Sequence, residues 1–167
     1  MNTKLDLGVA SHQTIASMNQ PYTNPLANQE ARAIRTLARS LCLSKNRFAL
    51  IFVRCRRSSS KTEALTLLQT QYSLTPQVLE IPAGAKQLYP LIQQLCDEQQ
   101  PSSLFISGLD TLNNLDELLI STNQMRDEFR RRFSFPLVMW VNDEVMHKLI
   151  KLAPDFYNWA SAPISLP

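Results

Sequence analysis

Three apolar runs of strand length constrain this chain more than any other feature: "FALIFV" (48–53), "SLFIS" (103–107) and "PLVMWV" (136–141). Each is apolar at consecutive positions and so needs cover on both faces. That is the pattern of buried parallel strands, not of a hairpin with one wet side. Helix-sized segments separate the runs. "SSSKTEALTLLQTQY" opens on serines, which cap helices well. "AKQLYPLIQQLCDEQQ" tolerates Pro90 only near its first turn. "NNLDELLISTNQMRDEFRRRF" is the longest helical stretch, and "NDEVMHKLIKLA" is a last helix begun by Asn142 or Asp143. A weaker strand, "PQVLEIP", lies between the first two helices. Parallel neighbours need crossovers of this length, whereas antiparallel ones close with tight turns. The spacing predicts a three-layer α/β domain with a mainly parallel sheet of about four to five strands flanked by helices.

Ahead of the first strand, "NPLANQEARAIRTLARSLCL" has helical period. Ile34, Leu37, Ala38 and Leu41 share one face, with Arg32, Arg35 and Arg39 opposite. Residues 1–25 are polar, contain Pro21 and Pro25, and show no hydrophobic period, which predicts an irregular arm. Residues 26–167 are expected to form a single domain. No apolar run approaches the ~20 residues of a membrane span, and no apolar segment follows Lys4 to make a secretory signal. Cys42, Cys55 and Cys96 have no metal-ligand spacing, which suits small core residues in a reducing cytoplasm.

Charge is unevenly placed. The whole chain carries a formal +3. Between Leu26 and Lys61, however, Arg32, Arg35, Arg39, Lys45, Arg47, Arg54, Arg56, Arg57 and Lys61 face Glu30 alone, a local +8. Such asymmetry points to an anion-preferring surface or to a solvated basic face without a ligand.

In an open parallel sheet, ligands bind beyond the carboxyl ends of the strands. After the first strand comes "CRRSSSKT". A phosphate-binding P-loop reads G-x-x-x-x-G-K-[ST] between a strand and a helix. Lys61 and Thr62 match its end, but Cys55 and Ser60 occupy the two glycine positions. Those glycines let successive N–H groups wrap a phosphate. What remains is a helix start beside Arg56, Arg57 and Lys61, which attracts anions more weakly. After the third strand, Asp110 stands where P-loop enzymes place a magnesium-binding acid. The alternative is a turn residue. Thr111 follows, where ATPases commonly have a second acid. Asn142 ends the fourth strand, as a residue facing the γ-phosphate or as a helix cap.

Arg126 falls on the apolar side of the longest helix with Leu115, Leu119 and Phe133, so it needs a polar partner or must snorkel to water. His12 and His147 accompany no nucleophile motif, and no cluster has zinc spacing. Gly8, Gly84 and Gly108 are too few and too scattered for a dinucleotide fingerprint. Trp140, Trp159, Phe156 and Tyr157 suit a core or a docking role.

The order of these segments, most of all "RRRFSFPLVMWVNDEVMHKLIKLAPDFYNWAS", resembles the N-terminal domain of a known group. That group is the STAND/AAA-like ATPases of bacterial, largely cyanobacterial, multidomain proteins that continue into tetratricopeptide or WD repeats. The similarity spans about residues 30 to 161. It implies a P-loop-NTPase-like fold used as a switch or scaffold. It further implies that Lys61 and Thr62 would meet ATP phosphates and magnesium, beside Arg56, Arg57 and Ser60. Asp110 would be the metal acid and Asn142 the γ-phosphate sensor. Cys55, Ser60 and Thr111 depart from that pattern and count against hydrolysis. The leading expectation is a non-catalytic interaction module with a protein partner and no cofactor. The alternatives are an ATP- and magnesium-binding NTPase with a variant loop, and a basic nucleic-acid-binding protein.

Overall fold

The computed structural model describes residues 24–167. The expected irregular arm lies outside them except for its last two residues. There Asn24 accepts a hydrogen bond from the Leu26 N–H at 3.1 Å, and Pro25 opens the first helix. In chain order the elements are α1 (Pro25–Leu43), β1 (Ala49–Cys55), α2 (Ser58–Tyr72), β2 (Gln77–Glu80), α3 (Tyr89–Cys96) and β3 (Leu104–Ser107). A 3-10 turn (Leu109–Thr111) follows, then α4 (Leu115–Gln124), α5 (Arg126–Arg132), β4 (Pro136–Val141), α6 (Asp143–Leu152), α7 (Pro154–Tyr157) and β5 (Ile164–Leu166).

The strands form one sheet in the order β2-β3-β4-β1-β5, with every pairing parallel. In its centre, Ala49 pairs with Pro136 and Arg54 with Val141. All residues of β4 are buried, as its unbroken apolar run requires. Alternation along β1 sends Leu50 and Phe52 to one face and Ile51, Val53 and Cys55 to the other. The first face packs against α3 to α7, the second against α1, α2 and β5. The result is three layers, with a sheet core between two helical ones. The arrangement is consistent with a P-loop-like three-layer fold.

Two elements depart from the sequence expectation. The longest helical stretch is two helices, because the backbone leaves helical geometry at Met125 (φ −93°, ψ 6°). The short β5 extends the sheet beside β1. Among the described residues, no helix is long and apolar enough to cross a membrane.

Candidate functional site

Parallel pairing puts the carboxyl ends of β1, β3 and β4 on one rim, and most of the residues singled out above converge there. The β1–α2 connection is short. β1 ends at Cys55 and α2 starts at Ser58, leaving Arg56 and Arg57 as the whole turn. Cys55 Sγ donates to the Arg57 carbonyl at 2.8 Å. Ser58, Ser59 and Ser60 are therefore the first turn of the helix, where a phosphate loop would still be open backbone. Ser60 is buried, and its Oγ donates to the Pro167 carbonyl at 3.2 Å. The residue at the second glycine position is thus a packing contact between α2 and the end of the chain beyond β5.

Lys61 and Asp110 are brought together. Lys61 Nζ lies 3.9 Å from Asp110 Oδ1, and the lysine side chain is largely covered. Thr62 is exposed. It lies about 200° round α2 from the buried Ser60, so its hydroxyl faces away from the sheet. The structure thus joins the lysine to the acid and leaves the threonine exposed, about 100° further round the helix. Asp110 itself sits in the 3-10 turn after Gly108, whose φ of +87° falls in the left-handed region. That φ favours glycine whatever the space, whereas the flexible end of Glu80, 2.5 Å from where a Cβ would stand, could move aside.

Asn142 caps α6, with its Oδ1 accepting from the Val145 N–H at 2.8 Å. Next to it, Asp143 is held from two sides. Arg54 Nε donates to its Oδ1, and Arg56 lies 3.7 Å from its Oδ2. The hydrogen bond from Arg54 holds the Asp143 carboxyl below the ordinary carboxylate range, and the same bond raises Arg54. Sequence reasoning did not single out this clamp. The signal for it was the β1–β4 register, which sets Arg54 level with Val141 two residues before Asp143. Arg57 is exposed. It lines a cavity of about 680 Å³ with Arg54, Arg56, Gln29 and Ser165, between the first turn of α1 and the ends of β1 and β5.

Away from the rim, Arg126 finds the partners its position requires. Its guanidinium donates to the Asn123 carbonyl at 2.9 Å and lies 3.9 Å from Asp155 Oδ2. Asn123 in turn bonds Asp155 and accepts from the Phe156 N–H, which fastens α4 to α7. Among the described residues, no three His, Cys, Asp or Glu side chains gather as a metal site.

Comparison with family profiles, curated proteins and solved structures gives no match to this chain.

Proposed function

We propose that the chain is a non-catalytic interaction module of P-loop-like architecture that docks a protein partner and does not turn over nucleotide. The observation that carries this reading is the closed β1–α2 turn. A phosphate loop needs several free N–H groups around a concave backbone. In this chain those residues are one helical turn, fixed by the Ser60 hydroxyl on Pro167. The surrounding polar groups are committed as well: Lys61 to Asp110, Arg54 and Arg56 to Asp143, and Asn142 to its cap. Lys61 already meets Asp110 while Thr62 is exposed, so a phosphate and its magnesium would have to displace that pair. Isothermal titration with ATP and magnesium should give no affinity tighter than ~1 mM, a free energy near −4 kcal/mol. Low-micromolar binding would defeat the proposal.

One observation favours a second reading, an NTPase with a variant loop. Lys61 and Asp110 meet on the rim where a phosphate and a metal acid are needed. That reading requires the first turn of α2 to unwind. It predicts phosphate release that disappears in Lys61→Ala; release that persists in the variant points to contamination.

A further inference from the structure

α1 is amphipathic in an unusual balance. Ala33, Ile34, Leu37, Ala38 and Leu41 are buried against the sheet and α2. Arg32, Arg35 and Arg39 stand on the opposite face, all exposed, within about 60° of one another round the helix. The two intervals along the axis are roughly 4.5 and 6 Å. The turn after α1 adds Lys45 and Arg47, both exposed. At the other end, the cavity that holds Arg57 is also lined by Leu26 and Gln29 of α1. Exposed cations therefore run from Arg32 through the turn after α1, and Arg57 stands beside its first turn. Among the described residues, none of Arg32, Arg35, Arg39, Lys45, Arg47 or Arg57 forms an ion pair with a carboxylate. Glu30, the single acid of this segment, lies off the arginine face, at least about 140° round the helix from each of Arg32, Arg35 and Arg39.

Arginines with acidic neighbours are neutralised within the fold, as Arg54 and Arg126 are here. A row that stays unpaired attracts an external anion, and its extended shape fits a polyanion better than a point charge. An anionic membrane is the poorer partner, because the apolar face of α1 is covered by the sheet and cannot insert. An acidic protein surface is poorer too. Protein interfaces centre on apolar and aromatic anchors, and the exposed large apolar residues of this helix, Leu26 and Leu43, lie at its two ends. We propose that the exposed face of α1, with Lys45 and Arg47, is a docking track for a nucleic-acid phosphate backbone.

The test is fluorescence anisotropy of the full chain with a labelled duplex DNA of mixed sequence, and in a second arm a single-stranded RNA, between 50 and 300 mM salt. Neutralising about four or five phosphates gives a log–log salt slope near −4 on the duplex. Arg32→Gln, Arg35→Gln and Arg39→Gln together should lower that slope by roughly 2 to 3 and weaken binding at least tenfold at 50 mM salt. Arg→Lys at the same three positions should retain the slope, since backbone contacts need charge and not a fork. A control pair in the opposite layer, Lys86→Gln with Lys151→Gln, should leave it unchanged. Binding to either nucleic acid with this pattern supports the track. Any one of four results overturns it: no retention of both probes at 50 mM salt; a triple variant that melts like wild type and binds like it; an equal loss in the control pair; or polyglutamate competing as well as DNA.

Discussion

Asn142 separates two roles that the sequence leaves open, because a cap and a phosphate sensor respond differently to one substitution. Its Oδ1 satisfies the Val145 N–H, one of the donors that a helix start leaves free. Asn142→Ala should cost about 1 kcal/mol in stability, and Asn142→Asp should recover most of it. Urea denaturation reads both. A sensor without a structural role would leave the midpoint untouched. Gly108 is the second position where one residue decides. An alanine there would be held at φ +87°, with its Cβ against Glu80 Oε1 and the Ile81 carbonyl. Gly108→Ala should therefore cost about 1–3 kcal/mol and displace the turn bearing Asp110. A midpoint unchanged from wild type would show that the turn adapts freely. The sequence shows that glycine in "SGLD" but not the Glu80 side chain it makes room for, because β2 and β3 become neighbours only in the sheet.

Among the elements, the three central strands were legible because each contains a run of consecutive apolar residues. A sheet buried on both faces leaves no other pattern. α1 was legible from its periodicity, and α2 from the serines at its start, although they form its first turn and Arg57, with no side-chain cap, precedes it. The break at Met125 was not; beside it, Asn123 bonds Asp155 and Phe156, contacts that exist only once α4 and α7 are packed together. β5 was illegible for a similar reason, since Ile164–Leu166 is too short to show a period and is a strand only because β1 offers it an edge. Phe52 tests the central packing. It is fully buried and its ring stacks on Tyr157 at 5.5 Å, between β1 and α7. Phe52→Ala should cost about 3–5 kcal/mol. A loss under 1 kcal/mol would mean that the core collapses into the space.

The Asp143 clamp couples β1 to α6, and its sign with pH follows from the direction of the shift. The folded carboxyl titrates below its unfolded value of about 3.9, chiefly through the hydrogen bond from Arg54. Its contribution is present above that value and is lost as pH falls through the lower folded one. Between pH 5 and pH 3 the wild type should therefore lose more thermal stability than Asp143→Asn, which has no proton to take up there. Parallel pH–melting curves for the two proteins would show that the clamp is silent.

Across the whole molecule, one sheet serves two cores. Each is built on alternate residues of the same strands, so neither can loosen without releasing side chains that order the other. The chain supplies its own reporters of this coupling. Trp140 is buried with α1 and α2 on one face, and Trp159 packs against the cluster under α3 to α7 on the other. Replacing either with phenylalanine leaves one tryptophan that reports one layer alone. In each variant, the urea midpoint by tryptophan fluorescence should coincide with the midpoint by far-ultraviolet circular dichroism, within about 0.2 M, as two-state unfolding requires. Comparison within a variant removes the effect of the substitution on stability itself. Suppose instead that Trp140 fluorescence changes well before the dichroism in Trp159→Phe. The basic layer of α1 and α2 would then open as a separate unit, and the arginine track would belong to a detachable element. Coincident midpoints would fix that track to the same cooperative body as the rim of Lys61 and Asp110, so that a partner bound along α1 stabilises the whole fold by mass action.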